Sequence, residues 1–564
     1  MSRSQPPAAF TVGQRLMRGY GPLAVLALML LLMSLLVPSK VPARTTTAAG
    51  PLTEGGTLQP GASSGSVDDG PTTIDTTPGA TAGSTGGGGG DAAAGGDPGA
   101  GPATPGAAGG CPDRAEQVPG DPYSPPCIAF AGDNGGATAK GVTADTIRVS
   151  FRVLNEKGFQ QTLAQLAGAS LSDSPDAVVR TVQALADYFN QRFQFYGRKI
   201  EIVTYNGKGS NTNELLGKGR EQAVADAIVA AEELNVFADL SATSEPYAGA
   251  LAERGVIGFG TPYLSRKWHE DRAPFAWSLS TDGSIVSEFA AEYAAKKLWG
   301  GNADHAGGIL KGKPRKFAVL APENSWYQES VDNAEQTLAA EGKQADYRRA
   351  YVLDLSTMSD QATRIIADFK SKGITTILCG CDPILPVFLS GVASREKYYP
   401  EFIITGTALT DADIVGQLWK QDFAAHAFGV SPLDGFTPPT ETIAYAAYKS
   451  VRQDEPAITV DLIYYQMYML AIGIQMAGPN LTPQTFEQGM FAYPPKSGPF
   501  GLWAFGPGDR TAANDVREVY WDPNAISAYN GQRGAYVGAN GNARYQKGQI
   551  PGGPPGRPAD LAGG

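Results

Sequence analysis

From Gly141 onward, short β-rich runs alternate with amphipathic helical stretches, and the series occurs twice in tandem. No other feature of the chain restricts its fold as tightly. Residues 146–154 (TIRVSFRVL) read as a strand. Ser174-Pro175 then supplies an N-cap and a first-turn proline. Val178, Val182, Leu185, Phe189 and Phe193 follow at three- and four-residue steps, one apolar face of a helix. Further strands are predicted at 199–205, 236–240 and 256–259, with helices at 221–234, 248–253 and 284–298. The pattern then restarts, with strands at 316–320, 350–353, 375–378 and 402–405 and helices at 327–340, 360–372 and 384–392. Repeated β-α alternation means a parallel sheet covered on both faces. Two series predict an α/β chain of two doubly wound lobes. Ligands in such sheets bind beyond the carboxyl ends of the strands, which two lobes can turn toward one another across a cleft.

The chain outside this region has a different character. Arg15 and Arg18 precede Leu23–Val37, an apolar run broken only by Ser34. A basic flank before an apolar run means export with the N-terminus left inside. Residues 1–43 are therefore read as a membrane anchor, extended by Tyr20–Pro22, or as a signal peptide cleaved near Val41-Pro42-Ala43. No cysteine follows the run, so lipid modification is not expected. Residues 44–110 are Gly, Ala, Pro, Thr and Ser, including Gly86–Gly90, and read as a flexible tether. The tail 531–564 has the same composition and the same reading. The 70 glycines and 41 prolines are too many for an evenly globular chain and are enriched in its first part and at its C-terminal end. The net charge is −11 and no Lys/Arg cluster stands out, which argues against nucleic acid as a partner.

Cofactor and metal signals are lacking. The three histidines, His269, His305 and His426, are far apart and without metal-ligand spacing. Gly61-Ala62-Ser63-Ser64-Gly65 fits a nucleophile elbow, but it falls in the tether, with no strand or helix around it. Gly307–Pro314 approaches a phosphate loop, yet Pro314 replaces the required Ser/Thr and a strand follows it where one should precede it. In an exported chain, Cys111 and Cys127 fit a disulfide closing a Pro-rich loop in the 111–140 lead-in. Cys379 and Cys381 are too close in sequence for an easy unstrained bridge, with a strained one as the alternative, so the sequence leaves their state open.

The order of several segments carries a family resemblance. Gly141-Val142-Thr143 leads into Thr146-Ile147-Arg148-Val149. Asn190 is followed by Tyr196-Gly197-Arg198-Lys199-Ile200-Glu201. Ala252-Glu253-Arg254-Gly255-Val256 precedes Gly260-Thr261-Pro262, and Phe289–Lys296 reads as a helix opening a second lobe. In this order the chain resembles type 1 periplasmic binding proteins, in particular the branched-chain amino-acid (Leu/Ile/Val) binding group. The resemblance spans about 141 to 530. It departs from the family at extra residues 157–172 and at Trp326-Tyr327-Gln328, where the family has Tyr-Gly, so the ligand need not be an aliphatic amino acid. The resemblance implies three crossings between lobes, with 141–283 and 431–505 in the first and 284–430 and 506–530 in the second.

Residues just past strand ends are the candidate ligand contacts. Ser241, Thr243 and Ser244 place hydroxyls at a helix N-terminus, a setting suited to a carboxylate, with simple N-capping as the alternative for Ser244. Thr261 and Tyr263 match the family's second binding loop. Trp326 and Tyr327 could close over a ligand or pack into the core. Asp382 could meet an ammonium group or start a helix, and Thr405 could donate a hydroxyl or merely turn the chain. Cysteine catalysis would need a neighbouring base, and no histidine lies near Cys379 or Cys381 in sequence. The resulting expectation is an extracytoplasmic receptor that captures a small polar solute such as an amino acid, amide or carboxylate. The resemblance implies delivery to an ABC permease. A membrane-anchored sensor or scaffold with the same fold is the alternative, and an enzyme is the third reading.

Overall fold

The computed structural model describes residues 114–154, 173–260, 263–435, 437–558 and 561. The apolar run Leu23–Val37, the tract 44–110, Cys111, the insertion 157–172 and Thr261 lie outside the described residues. Among the described residues no helix is long and apolar enough to cross a membrane.

The first sheet holds β1 (Thr146–Val153), β2 (Lys199–Asn206), β3 (Ala238–Ala242), β4 (Ile257–Gly260) and β5 (Ala276–Trp277), in the order β2-β1-β3-β4-β5. All its pairings are parallel, Thr146 lying beside Lys199 and Val149 beside Ala238. The second sheet begins with β6 (Phe317–Pro322), β7 (Tyr347–Tyr351), β8 (Thr376–Cys379), β9 (Glu401–Ile404) and β10 (Ala427–Ser431), again parallel. The chain then returns to the first lobe through three helices and a short hairpin, β11 (Lys496–Gly498) and β12 (Gly501–Trp503). It ends with β13 (Asp515–Ile526), which joins the second sheet antiparallel to β10, and with β14 (Arg533–Gly538) and β15 (Arg544–Gln546), which each pair antiparallel with β13. The α/β two-lobed fold expected from the alternation is the one observed. β7 lies three residues before its predicted start, and β5, β10 and β13 have no counterpart in the prediction.

Burial on both faces explains the strand composition. In β9, Phe402 and Ile404 pack into one core cluster, while Ile403 packs into the cluster on the other face. The first sheet is covered by the helix Pro175–Arg192, whose Ser174 side chain accepts from Ala177 N as its N-cap. Phe189 of that helix meets Tyr464 and Tyr468 of the helix Val460–Ala477. Nearly every side chain of that second helix is buried, and a helix apolar on all sides needs such a position.

The two ends of the folded region are tied down differently from their prediction. In the lead-in, Tyr123 is fully buried and stacks on Trp503 with centroids 4.2 Å apart. Its hydroxyl donates to Gly501 O and accepts from Phe500 N, both at 2.7 Å. Cys127 is disulfide-bonded. At the other end, the stretch read as a flexible tail from 531 is structured through residue 558. It supplies β14 and β15 and then runs over the second lobe. Gly548 N and Ile550 N donate to Glu292, and Gly556 N donates to Glu518. Composition misleads here because glycine serves packing: Gly534 has φ +95°, and a Cβ there would meet the Trp521 ring at 2.5 Å.

The last of these ties is sensitive to acid. Arg557 Nη1 donates to His305 Nδ1 at 2.9 Å, which requires a neutral ring. Burial first, then the Arg557 charge, lowers the His305 pKa from 6.5 to about 4. A group depressed in the fold contributes stability that is complete above its unfolded value and lost as pH falls through the folded one. Melting curves of His305→Gln should therefore lose less stability than the parent between pH 6.5 and 4. Equal slopes would assign the titration to another group.

Candidate functional site

The carboxyl ends of β4 and β6 bring two aromatic rings together across the lobes. Tyr263 follows β4, and Tyr327 lies in the first turn of the helix Ser325–Ala340, which follows β6. Their rings stack with centroids 5.7 Å apart and planes 11° apart, and both are buried. Beside them Ser265 Oγ donates to Glu329 Oε2. At the rim Lys218 and Asp354 pair at 3.5 Å. Glu245 N donates to the Tyr263 hydroxyl at 3.3 Å, so the phenol covers the start of the helix Glu245–Glu253.

The first-lobe wall is a buried polar network whose main members sequence reasoning missed. Arg152, near the end of β1, pairs with Glu214 at 2.9 Å and Asp226 at 3.3 Å, and its guanidinium lies 3.8 Å from the Tyr247 ring centre. The only sequence signal was a second arginine, four residues after Arg148, in a strand that also carries Thr146 and Ser150. The predicted hydroxyls are absorbed into this network. Ser241 Oγ accepts from Arg152 N and donates to Asp239 Oδ1, both at 2.8 Å. Ser244 Oγ donates to Glu214 and makes no cap bond to its own helix. Thr243 Oγ1 donates to Asn211 Oδ1 at 3.1 Å. Burial pushes the Asp239 carboxyl up, against hydrogen bonds from Ser150, Ser241 and Tyr247 that lower it.

The second-lobe wall has the opposite character. Asn324 stands at the N-cap of Ser325–Ala340, yet its side chain makes no cap bond. Asn324 Oδ1 and Trp326 Nε1 are buried without hydrogen-bond partners among the described residues. Asn is among the strongest N-cap residues, so an idle one at a strand end was a readable signal. Buried polar atoms are nearly always paired, and those that are not call for an explanation.

Asp382 and Thr405 are engaged within the lobe. Tyr351 donates to Asp382 Oδ2 at 2.5 Å, Ile384 N donates to Oδ1 at 2.7 Å, and burial raises the carboxyl's pKa. Thr405 Oγ1 donates to Cys379 O at 3.0 Å. Cys379 and Cys381, whose state the sequence left open, are joined in a disulfide. Their Cα atoms stand 5.0 Å apart where the chain leaves β8, within the ordinary range for a bridge. Of the predicted contacts, the structure brings Tyr263, Trp326 and Tyr327 to one interlobe seam, and packs Ser241, Thr243, Ser244, Asp382 and Thr405 into the lobe walls.

A family profile described as periplasmic binding protein matches residues 163–527. The chain belongs to the periplasmic binding protein family. Solved structures similar to this member include the branched-chain amino acid transporter substrate binding protein LivJ from Streptococcus pneumoniae in complex with isoleucine. The two share 14% identity over 70% of this chain and 100% of that one, with a TM-score of 0.46. A solute binding protein from R. palustris in complex with 4-hydroxybenzoate shares 14% identity over 67% and 93%, with a TM-score of 0.47. A fatty acid ABC transporter substrate-binding protein from Thermomonospora curvata shares 14% over 73% and 97%, also with a TM-score of 0.47. No curated protein sequence matches the chain.

Tyr351→Phe tests the Asp382 anchor. Removing the hydroxyl leaves a buried carboxyl short of a donor, so denaturant melts should show a loss of about 1–3 kcal/mol. An unchanged midpoint would mean that the pair contributes nothing to the lobe.

Proposed function

We propose that this periplasmic binding protein is an extracytoplasmic receptor that captures a small solute carrying a carboxylate or amide between its lobes. One observation carries the reading of the site. The idle Asn324 Oδ1 and Trp326 Nε1 sit at the uncapped N-terminus of Ser325–Ala340, beside the Tyr263–Tyr327 stack. A helix N-terminus and an indole N–H suit an anionic or carbonyl oxygen, an amide oxygen such as Asn324 Oδ1 suits an N–H, and the tyrosine rings suit an aliphatic or aromatic body. Thr261, two residues before Tyr263 in sequence, completes the proposed contact set. The hydroxyls of Ser241, Thr243 and Ser244 act behind the wall, holding Arg152 and Glu214 in place. A ligand that touches both lobes favours the closed form, because only that form completes its contacts. The closed receptor then engages an ABC permease, the partner implied by the family. The segment Leu23–Val37 either anchors the receptor to the membrane or directs its release.

A second reading has its own support. The lobes already meet directly through Tyr263–Tyr327, Ser265–Glu329 and Lys218–Asp354. Contacts of this kind suit a sensor or scaffold of the cell envelope whose lobes close without a solute.

A thermal-shift panel of amino acids, amides and aromatic and aliphatic carboxylates separates the two. A ligand at a hundred times its Kd adds about 2.7 kcal/mol, a rise of roughly 5–10 °C for lobes of this size. The receptor reading expects such a rise, abolished in Trp326→Phe and reduced in Asn324→Ala. A flat panel on folded protein favours the sensor or scaffold.

A further inference from the structure

Three segments cross between the lobes: 278–282 after β5, 432–442 after β10, and 504–514 between β12 and β13. The first and third are bound to each other. Ser278 pairs with Thr511, Ala512 N donates to Ser278 O at 3.0 Å, and Thr281 Oγ1 donates to Ala513 O at 2.7 Å. A carboxyl stands at each crossing. Asp282 N donates to Thr511 Oγ1 at 3.2 Å, and that hydroxyl donates to Asp509 Oδ1 at 3.1 Å, so the hydroxyl joins the Asp282 backbone of one crossing to the Asp509 carboxyl of another. Asp282 Oδ1 also caps the helix Gly283–Tyr293, accepting from Ile285 N at 2.8 Å. At the remaining crossing Ser431 Oγ donates to Asp411 Oδ2 at 2.5 Å, while Asp411 Oδ1 is buried without a partner among the described residues.

We propose that the three crossings form a proton-linked hinge, in which the carboxyls of Asp282, Asp411 and Asp509 keep the crossings packed while protonated and loosen them on ionising.

The charged surroundings leave these carboxyls poorly compensated. Arg266 faces both Asp282 and Asp509, but its guanidinium is bound to Glu288 at 3.0 Å, and Lys547 holds the same Glu288 at 2.6 Å. Glu270 adds a further negative charge to the groove that Asp509 shares with Arg266, Glu288 and Lys547. Arg510, next in sequence, is paired with Glu487 at 2.6 Å, and the nearby His269 is buried with its pKa lowered to about 4, burial being the main cause. Arg517 faces Asp411, Asp413 and Asp434 together, while its Nε donates to Leu433 O at 2.8 Å. Tyr536, also beside Asp411 and Asp413, is buried and neutral. Burial is the main cause that raises Asp282 to about 7 and Asp411 and Asp509 to about 6. Protons have a route to at least two of the three. The groove at Asp509 has a volume of about 470 Å³, and a cavity of about 20 Å³ at Asp411 has room for one water.

The sign follows from linkage. A carboxyl raised in the packed hinge releases its proton when the hinge opens into water, so raising the pH favours opening until the packed-state value is passed. The device depends on the fold alone and not on which solute the cleft takes.

Hydrogen–deuterium exchange of the full chain, corrected for intrinsic pH dependence, reads it directly. The peptide covering 278–283 should open about tenfold more per pH unit between pH 5 and 7, and those covering 431–435 and 507–513 between pH 5 and 6, each then levelling off. Peptides from β1 and β6 should stay flat. The double variant Asp282→Asn with Asp509→Asn keeps the cap acceptor and should flatten the profile at 278–283 and 507–513. Asp411→Asn tests the remaining crossing by itself, and decides the matter if the first variant does not fold. Crossing peptides that follow the sheet peptides at every pH, or variants that keep the parent's slope, would overturn the proposal.

Discussion

A parallel sheet has to be buried on both faces, because its crossover connections place helices on each side and its strands carry apolar residues in both directions. Most of this molecule's architecture follows from that requirement. The first sheet cannot be covered by its own connections alone, so the chain comes back from the second lobe to lay the helices around Val460–Ala477 against it. That return forces multiple crossings, and multiple crossings make a hinge. The same parallel order sends the carboxyl ends of β4 and β6 to the seam where Tyr263 meets Tyr327.

The two walls of that seam show how buried polar groups divide between structure and binding. On the first lobe, Arg152, Glu214, Asp226 and Asp239 would each be costly to bury alone. Together with Ser241, Ser244 and Tyr247 they satisfy one another and hold the wall rigid. On the second, an N-cap residue that caps nothing and an indole N–H without an acceptor keep hydrogen-bonding capacity in reserve. The crossings combine both situations: the Thr511 hydroxyl joins the Asp282 backbone to the Asp509 carboxyl, while one oxygen of Asp411 has no partner among the described residues.

Much of the fold was legible because periodicity is a local property. The three- and four-residue steps of Val182, Leu185 and Phe189, and the Ser174-Pro175 start before them, need no knowledge of the rest of the chain, and that helix begins where its cap predicts. β5 was not legible, since two residues, Ala276 and Trp277, carry no period. β14 was hidden for a different reason. Its glycines look like linker until Trp521, distant along the chain, is laid across Gly534.

By itself, then, the sequence determined the alternating elements, the two parallel sheets and the family, because each rests on patterns a few residues long or on their order. Only the tertiary structure decided which polar groups are engaged. Ser241 and Ser244 looked like free donors until strand pairing set Arg152 and Glu214, 89 and 30 residues away, within hydrogen-bonding distance. The docking of residues 547–558 was decided in the same way, by partners such as Glu292 and Glu518 brought close through folding, and the disulfide of Cys379 and Cys381 by how the chain leaves β8. Hydrogen bonds depend on distance in space, and only the packed chain sets that distance.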